Sequence, residues 1–339
     1  MTIWDNIGCS GKRFGPYERL LTAAHESRAH GAAASFSERT KVVMEKRNIN
    51  YMEKKMSRQY LLMVLPGFII FTIGLIIPLL LAIRYSLTSW DGMTAQKPFV
   101  GLQNYVNLLK DSDFRSAWWF TLKFTIGNTI IQNVAALLFA IALDSGIRCQ
   151  KIYRTALFIP CLISSIIVGF IWLKMFSNVL PEVNELLGTN INFLLLGDKS
   201  TVLSGLLIAN NWQWIGYWML IYLAGLQSVP GDLYEAAKMD GAGWLSRFIN
   251  VTIPMLAPAI TICVVGITTG SLKVYDLLVS STKGGPGRAS TSIIYQTYTT
   301  AINGRQYGYG CAMSVTLVLV LLLVALLQVK SLKKREVQA

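Results

Sequence analysis

Pro230-Gly231-Asp232-Leu233-Tyr234-Glu235-Ala236-Ala237-Lys238-Met239-Asp240-Gly241-Ala242-Gly243, continued by Trp244-Leu245-Ser246-Arg247-Phe248-Ile249-Asn250-Val251-Thr252-Ile253-Pro254, is a polar elbow between two long apolar runs. Pro230 and Gly231 end the run before it. Asp232 is placed as an N-cap, with Glu235 three residues later in the capping-box position. Residues 233–240 then make about two helical turns, and Gly241 supplies the positive φ that stops them. Trp244, Phe248 and Val251, spaced by four and three, mark a second short helix with one apolar face. Ala236 and Ala237 leave a smooth surface that another protein can approach closely. A capped surface helix with no partner fits the same residues, and the pattern leaves the two readings open.

Outward from the elbow lie six apolar runs, 61–83, 124–143, 155–173, 202–225, 256–272 and 309–329, none containing Asp, Glu, Lys or Arg. Each has roughly the length a helix needs to cross a bilayer. In hydrocarbon the backbone polar groups must be paired within the segment, so the runs are helices. The fifth is the shortest and is expected to start near Val251, with Pro254 and Pro258 in its first turns. Composition agrees. Of 339 residues 53% are hydrophobic and 14% charged, against about 25% charged in ordinary soluble domains. A disordered chain is excluded, and a soluble enzyme is disfavoured. The reading is an all-α membrane protein with six transmembrane helices. A polar, basic cytoplasmic tail (1–58) precedes a membrane domain (59–330) that carries the elbow at 226–254, and a short basic tail (331–339) follows.

The net charge of +13 orients the chain: 20 of its 31 basic residues fall in the tails and in the loops on the elbow's side. That bias puts the N and C termini in the cytoplasm, at an anionic membrane surface. It requires no nucleic acid, and no interleaving of aromatic and basic residues suggests one. The first apolar run is too long and too far from the start for a cleaved signal peptide. Met44, Met52 and Met56 precede Lys54, Lys55 and Arg58 at the membrane edge. The tail therefore reads either as a cytoplasmic appendage or as an over-extended reading frame. Its Gly8-Cys9-Ser10-Gly11-Lys12 run is too short for a phosphate loop.

Chemistry-bearing residues are few. The five cysteines are scattered without metal or redox spacing, and both histidines, His25 and His30, lie in the tail. No metal site and no catalytic group is expected: the spans hold no paired carboxylates and no nucleophile beside a base. The chain is read as a protein without enzymatic activity. Ion-coupled carriers commonly keep ionisable groups in the membrane, and none is present here. The fourth run offers Asn210, Asn211, Trp212, Trp214, Tyr217, Trp218 and Tyr222, that is, aromatic faces and neutral amides, the groups that bind sugars. Asn211, Trp214 and Trp218 fall at i, i+3 and i+7, one helical stripe. Helix packing by large aromatics, with an interfacial belt, fits the same pattern.

Glu235-Ala236-Ala237, Asp240-Gly241-Ala242 and Ile253-Pro254 together resemble the EAA loop of ABC-importer permeases. Tyr275-Asp276 followed by Thr282-Lys283-Gly284-Gly285-Pro286, Ser290 and Thr291, with Phe99-Val100-Gly101-Leu102-Gln103-Asn104-Tyr105 earlier, is similar to the carbohydrate permeases of the maltose type. The resemblance runs from about Tyr60 to the end. It implies the type I importer architecture and one half of a sugar translocation pathway in a bacterial plasma membrane. It implies that Glu235, Ala236, Ala237, Asp240 and Gly241 couple to a cytoplasmic ABC ATPase dimer. That dimer would bind ATP and Mg, and this chain would hold no cofactor. The other partners implied are a second permease, more often a different homologous chain than a copy, and an extracytoplasmic sugar-binding protein. By the same resemblance Asn211, Trp214, Trp218 and Ser165 match sugar-cavity positions. Cys161 stands where the maltose protein has Tyr, and Ser271 and Val274 where it has Asn, so maltose in that pose is not the expected ligand. A permease of the same machinery for a non-sugar solute is the nearest alternative; an ion-coupled secondary transporter is the next.

Overall fold

A computed structural model describes residues 60, 63–188 and 194–333. The tail 1–58, with its short run at 8–12, and residues 334–339 lie outside the described residues. The chain divides into two units, 1–78 and 79–339. Apart from Tyr60, the described part of the first belongs to α1 (Met63–Ser86), which continues into the second. Within the first unit α1 carries a wide turn at Thr72–Ile76, where the Thr72 hydroxyl donates to the Phe68 carbonyl at 2.7 Å.

The second unit continues with α2 (Gln103–Lys110), α3 (Ser112–Asp144), α4 (Gln150–Phe158), α5 (Ser165–Leu186), α6 (Val202–Gln227) and α7 (Gly231–Met239). Then come α8 (Trp244–Met255), α9 (Ala257–Leu272), α10 (Asp276–Ser281), α11 (Ile293–Tyr298) and α12 (Tyr307–Lys333). Among the described residues there is no strand, only an isolated bridge between Thr88 and Phe99. Helices α1, α3, α5 and α12 are long and apolar enough to cross a membrane, and α8 with α9, bent by 68°, make a possible fifth span. Helix α6 has 26 residues, but Asn210, Asn211 and Gln213 interrupt its apolar run.

Four expected boundaries shift, each for a physical reason. The third apolar run is not one helix. Helix α4 ends at Phe158, a tight turn follows at Ile159–Leu162, and Ile163 and Ser164 are extended before α5 begins. Pro160 supplies no N–H and cannot continue the helix. The carbonyl freed at Ile163 accepts from Gln213 Nε2 of α6 at 2.8 Å, which satisfies it where water is scarce. The fifth run starts at Ala257, after a bend at Leu256. Pro258 lies in its first turn, whereas Pro254 belongs to α8. The ring of Pro258 opposes the carbonyl of Pro254, so the two prolines mark the corner. In the elbow, Asp232 is not the N-cap. Pro230 holds that position with extended ψ, α7 starts at Gly231, and no side chain caps it. Helix α3 begins at Ser112, well before the apolar run at 124. The Asp111 carboxylate accepts from the Asp113 and Phe114 amides at 2.8 and 3.2 Å and so nucleates it.

Helix α3 is the spine, packing chiefly along α6 and then α9. One buried cluster joins Phe120 and Phe124 of α3 to Val168 of α5, Leu206 of α6 and Leu278 of α10. Another joins Ala136 and Ala140 of α3 to Met219 and Tyr222 of α6 and Cys263 of α9. A third joins Leu108, Phe114, Ile293 and Met313. Lipid is as apolar as these side chains, so van der Waals fit and interhelical hydrogen bonds, rather than water exclusion, hold such contacts. Between its first two clusters α3 changes character and turns Asn128, Gln132 and Asn133 towards its neighbours.

Candidate functional site

A cavity of about 500 Å³ opens where α3, α5, α6 and α9 meet. Helix α6 supplies Asn210, Trp214, Tyr217 and Trp218; α9 supplies Ser271; Val274 and Tyr275 close the end where α9 stops. Ser165, the first residue of α5, reaches the cavity because the chain breaks just before it. Of the residues singled out from sequence, Ser165, Trp214, Trp218, Ser271 and Val274 therefore line one space. Cys161 does not: the turn at Ile159–Leu162 carries it aside. Asn211 is also off the lining, 5% exposed, behind the wall. The face of α6 on the cavity is 210, 214, 217 and 218, not 211, 214 and 218.

The aromatic side of the cavity is rigidly built. The Tyr217 and Trp218 rings meet edge to face at 4.9 Å, and Tyr217 meets Trp214 in the same way at 6.2 Å. Trp218 lies so close to α9 that a Cβ on Gly266 would sit 2.3 Å from its ring. The opposite side is amide. Asn128 and Gln132 of α3, 2% and 1% exposed, both line the cavity. Gln132 Nε2 donates to Asn210 Oδ1 at 3.1 Å. Asn128 Nδ2 donates to Ser271 Oγ at 2.7 Å, and its Oδ1 accepts from Asn211 Nδ2 at 3.1 Å. Sequence reasoning missed both α3 residues. The available signal was polar spacing: 125, 128, 129, 132 and 133 form one stripe in a segment where unpaired amides are costly.

Charge stays at the mouth, where Lys273 and Asp276 border the opening. Burial pushes the Tyr275 phenol above its ordinary range, with Tyr298, Asp276 and Tyr295 adding to the effect. It stays a neutral hydroxyl that can donate or accept. Behind it, Thr282–Pro286 folds into a compact turn with a cis Gly285–Pro286 bond, stapled by Ser290, whose hydroxyl donates to Thr282 Oγ1 at 2.8 Å. Ser292 donates to the Val274 carbonyl at 2.8 Å, tying this turn to the end of α9. The cavity can hold a neutral, hydroxyl-rich or aromatic solute. Among the described residues no group of His, Cys, Asp and Glu is arranged to hold a metal.

The second feature is the elbow. Helix α7 has no buried residue, and Glu235, Ala236 and Asp240 are exposed. Its end is a two-bond stop: Gly241 at φ +75° donates to the Lys238 carbonyl at 3.1 Å, and Ala242 donates to Ala237 at 2.9 Å. The Tyr234 and Thr252 hydroxyls meet at 3.1 Å and join α7 to α8. The stacked rings of Trp244 and Phe248, 5.7 Å apart, stiffen the first turn of α8.

The model of the binding-protein-dependent transport system inner membrane component family matches residues 132–332. The chain belongs to this family. The permease is 36% identical over 281 residues to a probable starch degradation products transport system permease protein of Thermoanaerobacterium thermosulfurigenes, covering 82% of this chain and 95% of that one. It is 33% identical over 256 residues to a multiple sugar-binding transport system permease protein of Streptococcus mutans, covering 75% and 88%. Its fold matches the crystal structure of a bacterial ABC transporter involved in import of the acidic polysaccharide alginate, with TM-score 0.71 at 22% identity, covering 84% of this chain and 98% of that one. The permease is thus a multi-pass membrane transport protein and not an enzyme, and its transport system depends on a binding protein.

Proposed function

We propose that the permease forms one half of the pathway of an ATP-driven sugar importer in a bacterial plasma membrane. The observation that carries this reading is the cavity: tryptophan and tyrosine faces on one wall, neutral amides and hydroxyls on the other, and its charged lining residues, Lys273 and Asp276, both exposed. Aromatic faces suit the C–H surfaces of a sugar ring, and amides suit its hydroxyls. The names of the similar permeases support sugars as the substrate class. Six spans, with α6 and the bent α8–α9 pair counted, and both termini in the cytoplasm complete the reading. Ser165, Trp214, Trp218, Ser271 and Val274 form the sugar cavity with Tyr217 and Asn210, while Asn211 acts from behind it.

The elbow is the joint to a cytoplasmic ABC ATPase dimer, which binds the ATP and Mg; this chain holds no cofactor. Glu235, Ala236, Ala237, Asp240 and Gly241 form the exposed lever. A push on α7 passes through the Tyr234–Thr252 contact into α8 and round the corner at Leu256 into α9, which carries Ser271. ATP-driven closure of the dimer thereby reaches the cavity wall and opens it alternately to each side. A second, homologous permease supplies the other half, and an extracytoplasmic sugar-binding protein delivers the ligand.

Trp218→Ala should abolish uptake of radiolabelled maltotriose by cells carrying the complete system, with normal amounts of permease in the membrane. Unaltered uptake would remove the cavity assignment. Uptake that stops on collapse of the ion gradients while ATP is kept high would instead favour an ion-coupled carrier.

A further inference from the structure

The cavity's amide wall is bonded in a way that packing alone does not need. Asn128 uses its two polar atoms on two different helices: Oδ1 accepts from Asn211 of α6 at 3.1 Å, and Nδ2 donates to Ser271 of α9 at 2.7 Å. The Ser271 hydroxyl has already committed its proton to the Ile267 carbonyl at 2.7 Å, so towards Asn128 it is an acceptor only. The other Asn211 N–H goes to the Leu207 carbonyl at 2.7 Å. That leaves Asn211 Oδ1 buried without a partner among the described residues. The chain of bonds thus runs from α9 through α3 to α6 and ends on an unsatisfied acceptor. Asn128 lines the cavity and Asn211 does not, so a ligand meets Asn128 first and reaches Asn211 only through it.

A sugar presents neighbouring hydroxyls, each both donor and acceptor. One can accept the second Nδ2 proton of Asn128 and donate to the second lone pair of its Oδ1, and an amide turned towards the cavity to make these bonds is drawn off Ser271 and Asn211. We propose that Asn128 is a substrate-sensing contact: a sugar hydroxyl competes for its two interhelical bonds, so that filling the cavity releases α3 from α6 and α9. Rotation of Asn128 towards the ligand also frees the Asn211 amide to turn and pair its stranded oxygen. Asn211 is then a positioning residue that acts through Asn128. Occupancy gains a physical route to helix movement, because the ligand bonds preferentially to the state in which the latch is open. This inference rests on the sugar reading of the cavity.

The test uses the complete importer in liposomes, comparing Asn128→Leu, Asn211→Leu, their combination and Trp218→Ala. With both bonds of the latch removed, Asn128→Leu should raise ATP hydrolysis in the absence of sugar by at least about fivefold, the scale set by losing the first of two buried hydrogen bonds from a two-state equilibrium. The KM for maltotriose uptake should rise about tenfold, for the lost contact, and added sugar should stimulate hydrolysis less than in the wild type, because occupancy no longer opens the latch. The combination should be no worse than Asn128→Leu alone, because Asn211 acts through Asn128. Sugar-free hydrolysis and KM both within twofold of wild type in Asn128→Leu would overturn the inference, as would independent, multiplying effects of the two leucine variants. If Asn128→Leu is poorly inserted, Ser271→Ala breaks one arm of the latch with the loss of a single oxygen, and its sugar-free hydrolysis decides in the same sense. Loss of uptake in Trp218→Ala beside wild-type behaviour of Asn128→Leu would sink the latch and spare the cavity. Indifference of uptake to both would sink the sugar reading itself.

Discussion

Gly266 shows how little room a single residue has at this site. A methyl group there would stand 2.3 Å from Cη2 and 2.8 Å from Cζ3 of Trp218, and the indole would have to give way. Helix α9 is fixed behind it by Gln328 of α12, whose Nε2 donates to Thr268 at 3.0 Å, so the ring and not the helix moves. Gly266→Ala should therefore cut sugar uptake by about tenfold or more while insertion stays normal, because a displaced ring no longer offers its face at the right place; misplacement by about 1 Å can cost up to about a hundredfold. Gly266→Ala combined with Trp218→Ala should be no worse than Trp218→Ala alone, and transport assays on the three variants check both statements. The sequence shows the aromatic residues of α6 but not which amide joins them. Positions 211, 214 and 218 share a face under a period of 3.6, and so do 210, 214, 217 and 218. Only the location of α3 decides between Asn210 and Asn211, and no local pattern contains it. Asn128 and Gln132 were unread for a related reason: an amide in an apolar run shows that a partner exists, not where the partner is.

At the scale of elements, proline explains most departures from the hydropathy pattern. Apolar run length gives α3 and α12 their cores, because an uninterrupted helix needs nothing else. The third and fifth runs contain proline, and there the apolar count overstates the continuity of the helix. At Ile163 the break survives because one side chain from another helix repairs it. Gln213→Leu removes that donor and leaves the half-buried Ile163 carbonyl unpaired, a loss of about 1 kcal/mol. The variant should unfold at lower temperature in detergent. Gln213→Glu, whose carboxyl is held protonated by burial and keeps one O–H to donate, should recover part of the loss. Equal unfolding temperatures for wild type and Gln213→Leu would mean that the break is held by backbone packing alone. The elbow reads more completely from sequence. Its stop at Gly241 follows from glycine's tolerance of positive φ, and only the cap is displaced, because Pro230 and Gly231 already turn the chain before Asp232 can act.

At the scale of the whole molecule, orientation is set by charge rather than by any single contact. The basic residues near the elbow, Arg148, Lys151, Arg154, Lys238 and Arg247, outnumber the acidic ones there, Asp144, Asp232, Glu235 and Asp240. Lys and Arg, far more than acidic residues, hold a loop on the cytoplasmic side. The loop before α2 should then face outward and the elbow inward. Two exposed methionines report these positions: Met93 is 71% exposed in that outer loop and Met239 is 87% exposed at the end of α7. In a variant with all five native cysteines replaced, Met93→Cys should react with a membrane-impermeant maleimide added to spheroplasts. Met239→Cys should react only after the membrane is opened. The reverse pattern would invert the orientation and place the elbow out of reach of any cytoplasmic ATPase. Reaction of both from the same side would require an even number of crossings between them, whereas the runs at 124–143, 155–173 and 202–225 provide an odd one. Labelling therefore tests whether α4–α5, broken at Pro160, and α6, interrupted by its amides, each cross the membrane once, as a cavity between them that opens alternately to the two sides requires.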